Sequence, residues 1–274
     1  MSASGPLQID LQKIVTERVP GRVPRCLVSL MEKLIRQREL NGILARTYPA
    51  RGVEFASAAL RDLDISVETR GLENIPEQGR FIFASNHPLG GLDGIALISV
   101  LGSRYGDDGI RFPVNDLLMN VEPLRGIFIP INKFGAQGRQ AARGLQEAFA
   151  SEAQLLYFPA GLVSRLGRGE RIADLQWHKA FVTKAIEHDR DIIPVYFSGR
   201  NSMLFYRLAK WRRRLGIRFN FEQILLPSEL VKSRGSRYTI TFGTPVRCSD
   251  MRASGKSPLL LAEQIKQSAY ALDA

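Results

Sequence analysis

Short apolar runs recur along the chain at 65–69, 81–84, 111–114, 127–131, 154–158, 192–197 and 237–242. Between several of them lie windows with apolar residues at helical spacing, at 93–101, 138–151 and 175–188, and a last one covers 258–272. Strands that alternate with helices predict an α/β fold with a mostly parallel sheet flanked by helices. In such sheets ligands sit beyond the carboxyl ends of the strands. Ahead of the alternating region, helical patterns run over 7–19, 23–40 and 53–63, with Pro20 and Pro24 between the first two. The second is the clearest: Leu27, Val28, Met31, Leu34 and Ile35 share a stripe, and Arg25, Glu32, Lys33 and Arg36 lie elsewhere. Residues 1–64 are therefore expected to form an amphipathic helical region ahead of one body over 65–274.

With 274 residues, 45% of them hydrophobic, the chain can bury one substantial core. A formal charge of +11 draws it towards a polyanion: nucleic acid, an anionic membrane surface or an acidic substrate. Cys26 and Cys248 lie far apart without metal-type spacing, so neither a disulfide framework nor a zinc site is expected, and a reducing cytoplasm is. No cofactor is implied. A membrane-spanning helix needs about 18 or more apolar residues in a row, and no such run occurs. The first residues lack the charged and apolar regions of a signal peptide, which predicts the cytoplasmic side.

Directly after the run 81–84 comes Ser85-Asn86-His87-Pro88-Leu89-Gly90-Gly91-Leu92-Asp93-Gly94. His87 is one of three histidines in the chain and sits in a turn, an unusual place for a packing residue. An imidazole acting as a base needs a carboxylate to hold one tautomer and to stabilise the cation it becomes. Asp93 is close enough in sequence to serve. The same residues also suit a loop histidine and a helix-capping aspartate.

Three later segments have the form of an apolar strand ending in Gly, Pro or a basic residue: Gly126 to Lys133, Tyr157-Phe158-Pro159-Ala160-Gly161-Leu162-Val163-Ser164-Arg165, and Ile192 to Gly199. Each alone is an ordinary strand and turn. In this order after an Asn-His turn, they resemble the four sequence blocks of the glycerolipid (acyl-glycerol-phosphate) acyltransferase superfamily. Asn-His-Pro-Leu-Gly-Gly-Leu-Asp-Gly with Phe-Pro-Ala-Gly-x-Val-Ser-Arg looks most like its hemolysin-like bacterial branch, whose members O-acylate lyso-ornithine or lyso-glycine lipids. The resemblance covers about residues 65–245.

That resemblance implies acyl transfer from a thioester, on acyl carrier protein or coenzyme A, to the hydroxyl of a single-chain lipid. His87 would be the general base and Asp93 its partner, and no Gly-x-Ser-x-Gly nucleophile is required or present. Asn86, Asn132, Lys133, Arg139, Phe158, Pro159, Ala160, Gly161, Ser164 and Arg165 fall where the family contacts substrate. Backbone N–H groups near Gly161 and in the Gly90-Gly91 turn are candidates for the oxyanion.

The chain departs from the family in three places. The spacing from His87 to Asp93 is one residue longer than usual. Ala160, Leu162 and Val163 replace the usual Glu, Thr and Arg, with Arg165 displaced, and Asn132 beside Lys133 replaces the other usual Arg. Those two arginines are associated with the acceptor's phosphate, which arginine grips through its bidentate fork. Their absence favours a lyso-aminolipid over lysophosphatidic acid, although Lys133, Arg139, Arg165 and Arg168 could rebuild an anion site.

The stretch 204–219 mixes basic and apolar residues, and Leu204, Leu208, Trp211 and Leu215 fall on one stripe. Either that stripe enters the core, or the helix lies in a lipid interface with Arg207, Lys210, Trp211, Arg212, Arg213 and Arg214 as contacts. A lipid acceptor favours the second, and a peripheral position on the cytoplasmic face of the inner membrane; the resemblance also implies that the helical region 1–64 shares the membrane contact. His178 and His188 receive no catalytic role. Two other function classes stay open: a lipid-binding protein that lost activity, and a nucleic-acid binder supported by charge alone, so no nucleic-acid partner is expected.

Overall fold

The structure is a computed structural model that describes residues 8–18, 23–115, 118–131, 135–217 and 220–273. Four helices come first: α1 (Leu11–Arg18), α2 (Arg25–Leu34), α3 (Gln37–Thr47) and α4 (Gly52–Asp62). Then follow β1 (Ser66–Arg70), β2 (Phe81–Ser85), α5 (Leu92–Tyr105), β3 (Ile110–Val114), β4 (Phe128–Pro130), α6 (Gly135–Ala150) and β5 (Gln154–Tyr157). A small hairpin, β6 (Arg165–Leu166) and β7 (Ile172–Ala173), precedes α7 (Ala180–Glu187), β8 (Asp191–Phe197) and α8 (Met203–Arg214). The chain ends with α9 (Leu226–Lys232), β9 (Arg237–Phe242), α10 (Cys248–Ala253) and α11 (Pro258–Tyr270).

The main sheet has the order β1-β9-β8-β2-β5-β3-β4. Its neighbours pair in parallel except β8 with β9. The protein is thus an α/β fold with a mostly parallel sheet, as the alternating pattern predicts. β2 lies at the centre, buried along its whole length, which explains why Phe81-Ile82-Phe83-Ala84 reads as an unbroken apolar run. Successive side chains of a strand point to opposite faces, and β2 divides accordingly. Phe81 and Phe83 join α4 and α5 in one apolar cluster, while Ile82 and Ala84 join α6, α7 and α11 in another.

Ile43, Leu44, Phe55, Ala56, Ala59, Leu60 and Leu63 belong to the first of these clusters, so α3 and α4 complete the core of the body that follows them. The window 23–40 resolves into two helices, because Arg36 takes a left-handed backbone (φ 54°) and turns the chain between α2 and α3. Its apolar stripe also divides: Val28 and Ile35 are buried, whereas Leu27 and Leu34, with Leu30, face outward.

One buried cation fixes the far end of the sheet. Arg190 is fully enclosed and donates to the carbonyls of Ala148, Phe149, Ser151 and Ala153, satisfying acceptors left open where α6 ends. Burial lowers its pKa to about 10, which leaves it protonated at neutral pH.

Candidate active site

β2 ends at Ser85, and the two residues that follow are set by its neighbour β8. Asn86 is buried and pairs twice with the backbone of Phe197, accepting from its N–H at 2.6 Å and donating to its carbonyl at 2.9 Å. The next residue, His87, leaves the sheet at its carboxyl end. Its ring stacks on Phe158, just past β5, with centroids 3.9 Å apart and planes 20° from parallel. Phe158 rests edge-on against Phe112 of β3. The imidazole plane is therefore fixed by side chains from two neighbouring strands.

The longer turn still closes. His87 Nδ1 lies 2.9 Å from Asp93 Oδ2, with Asp93 in the first turn of α5 and fully buried while His87 is 14% exposed. Asp93 Oδ2 also accepts from the N–H groups of Leu89 (2.9 Å) and Gly90 (3.3 Å), and Oδ1 from that of Gly94 (2.9 Å). Within the turn Gly90 takes a φ of 88°, in the left-handed region, and a Cβ there would meet Leu226 at 3.0 Å. A carboxylate only accepts, so it holds the Nδ1–H tautomer and leaves the Nε2 lone pair for an incoming proton.

Asp174, which the sequence did not single out, ties this turn to the third block. Its Oδ1 accepts from the His87 N–H (3.2 Å) and from the Ser164 hydroxyl (2.6 Å), and its Oδ2 from Trp177 Nε1 (2.9 Å). Ser164 N–H in turn donates to the His87 carbonyl at 2.8 Å. Burial pushes the Asp174 carboxyl up, and the donors from Ser164, Trp177 and His87 oppose it. A cleft of about 240 Å³ abuts the turn, walled by Asn86, Pro88, Ser164, Glu170, Ile172, Tyr196, Gly199, Arg200 and Tyr270.

Of the residues expected at the substrate, Asn86, Phe158 and Ser164 gather at His87. Pro159 and Ala160 are buried, with the Pro159 carbonyl accepting from the His178 N–H, so they shape the backbone beneath. Gly161 is exposed, but its N–H donates to the Phe158 carbonyl at 3.0 Å, and that of Gly90 is held by Asp93; neither is open to an oxyanion.

Arg165 is a correction: it is buried rather than aimed at a ligand, donating to Glu222 at 3.1 Å with its guanidinium over the Phe205 ring. Arg212 corrects the membrane-contact expectation in the same way. It donates to both oxygens of Glu222, from Nε at 2.8 Å and from Nη2 at 3.2 Å, since a fully buried carboxylate requires compensating charge. Arg139 is exposed on α6, and Asn132 and Lys133 lie outside the described residues.

The profile of the family described as Acyltransferase matches residues 13–273. The chain belongs to that family. This acyltransferase is 42% identical over 267 residues to the lyso-glycine lipid O-acyltransferase of Bacteroides thetaiotaomicron, covering 96% of this chain and 97% of that one. It is 43% identical to the protein of the same description from Phocaeicola vulgatus, covering 96% and 95% of the two chains. Among solved structures, it aligns with the 1-acyl-sn-glycerophosphate acyltransferase of Thermotoga maritima at a TM-score of 0.49 and 16% identity, covering 90% and 94%. The family match runs across the boundary at residue 64, in line with the packing of α3 and α4 into the common core. Among the described residues of the acyltransferase, no helix is long and apolar enough to cross a membrane.

Proposed function

We propose that this acyltransferase moves a fatty acyl group from a thioester of acyl carrier protein or coenzyme A to the hydroxyl of a lyso-aminolipid, of the glycine type. The observation that carries the mechanism is the His87–Asp93 pair, 2.9 Å apart at the carboxyl end of the central strand. His87 Nε2 takes the proton of the acceptor hydroxyl as its oxygen attacks the thioester carbonyl carbon. Asp93 stabilises the imidazolium that forms. Collapse of the tetrahedral intermediate breaks the carbon–sulfur bond, and His87 returns the proton to the departing thiolate. The products are an ester and a free thiol, and no acyl-enzyme is formed.

Two observations support the glycine-type acceptor: the relatives described as acting on lyso-glycine lipid, and the loss of the family's phosphate-binding arginines. Val163 occupies one of those positions and is buried among apolar residues, and Arg165 nearby is committed to Glu222. With one acyl donor, kcat/KM for lyso-glycine lipid should exceed that for lysophosphatidic acid by at least about tenfold, the value of a lost charge-assisted hydrogen bond. A higher kcat/KM for lysophosphatidic acid would overturn the acceptor assignment.

The reading places the enzyme at a lipid surface, peripheral on the cytoplasmic face of the inner membrane. The outer face of α8 supports this. Leu204, Trp211 and Leu215 are 56%, 57% and 53% exposed, interleaved with exposed Arg207, Lys210 and Arg214. Apolar and aromatic side chains bordered by cations describe a helix that lies on anionic lipid.

A further inference from the structure

We propose that Arg200 is the anchor for the acceptor's headgroup, binding its carboxylate in the cleft beside the His87 turn. This rests on the lyso-aminolipid reading and assigns the site that reading leaves open. A glycine joined to a fatty chain through its nitrogen ends in a free carboxylate. An enzyme that brings such a lipid to a base needs a cation within a headgroup's length of that base.

The described positions of the third block and of α8 that could supply one are otherwise engaged. Val163 is apolar and buried, and Arg165 and Arg212 are buried and turned onto their shared partner Glu222. Arg200 is the one basic side chain in the described walls of the 240 Å³ cleft. It is exposed, and it makes no hydrogen bond or ion pair among the described residues.

Its position is fixed from both sides. Before it, Phe197 is held by Asn86; after it, Asn201 Nδ2 donates to the Pro88 carbonyl at 3.0 Å. The segment carrying Arg200 is thus fastened to the residues on either side of His87. Gly199 allows the bend, with φ at 110° and no room for a Cβ, which would lie 2.6 Å from the Tyr238 ring. Glu170 lines the same cleft, so its net charge is close to neutral before a ligand enters. One guanidinium matches one carboxylate; a phosphomonoester dianion would meet the like charge of Glu170 with a single cation to offset it.

The test compares wild-type enzyme with Arg200→Gln and Arg200→Lys on lyso-glycine lipid and on its methyl ester, with one acyl thioester as donor. Losing a charge-assisted, bidentate contact should raise KM for the free acid about 10- to 100-fold in Arg200→Gln, with kcat changed less than about threefold. Arg200→Lys should fall between the two, since a point charge keeps attraction but not the fork. The methyl ester should be a poor substrate of the wild type and no worse for either variant. Equal discrimination between acid and ester in wild type and Arg200→Gln would overturn the assignment of Arg200 alone. A rise confined to the donor's KM would overturn it too, by placing Arg200 on the thioester's phosphate. A wild-type enzyme that acylates neither acceptor would contradict the lyso-aminolipid reading itself, and the anchor would fall with it.

Discussion

Asp93 ties the His87 ring to the backbone of the turn that carries it. It receives His87 Nδ1 and three backbone N–H groups while wholly buried, so it sets both the ring and the turn. Asp93→Asn removes the charge that stabilises imidazolium and puts an amide where only acceptors are used. Turnover should fall on the order of 10³-fold. Single-turnover acyl transfer with the purified variant checks this, and retention of full activity would show that His87 works without a carboxylate. Residues 85–94 made this pair legible in advance, since few histidines occupy a turn between a strand and a helix with an acid close behind. Asp174 was not legible. Its role depends on hydrogen bonds to His87, Ser164 and Trp177 that form only when three loops meet, and no local pattern marks it.

At the scale of elements, α8 inverts the usual reading of a helical stripe. The aligned Leu204, Trp211 and Leu215 face solvent, and the buried side carries Phe205, Tyr206, Ala209 and Arg212. A buried arginine contradicts hydrophobic patterning unless its partner is known. That partner, Glu222, arrives from the short helix Phe221–Leu225 and is shared with Arg165 beside the third block. Removing the common acid leaves two enclosed guanidinium groups facing each other. Glu222→Ala should cost about 3–5 kcal/mol, lowering Tm on the order of 10 °C, whereas Arg207→Gln on the exposed face should change stability by less than about 0.5 kcal/mol. Thermal melts of the two variants would separate the buried arm from the exposed one, and an unchanged Tm for Glu222→Ala would contradict the buried cluster. The strands of the main sheet were far easier to read, because burial on both faces leaves β2, β5 and β8 almost wholly apolar. The hairpin β6–β7 was missed, since two-residue strands carry too little pattern.

For the whole molecule, the mostly parallel sheet ends its central strand at the His87 turn and α8 carries exposed apolar and basic side chains on its outer face; the proposed function makes the first the catalytic turn and the second the lipid contact. Substituting Arg207, Lys210 and Arg214 together by Gln removes three exposed cations at about 1 kcal/mol each. Binding to anionic vesicles should weaken on the order of 100-fold, with little change towards a detergent-solubilised acceptor. Unaltered vesicle sedimentation would move the lipid contact elsewhere, with the outward Leu27, Leu30 and Leu34 of α2 as the next surface to test. The central claim is that His87 is the base for direct attack of a lipid hydroxyl on a thioester. It is tested most directly by the turnover of purified His87→Ala with an acyl thioester and lyso-glycine lipid. The account predicts a loss of about 10²- to 10⁴-fold in kcat with the fold retained. Near wild-type turnover by that variant would contradict it.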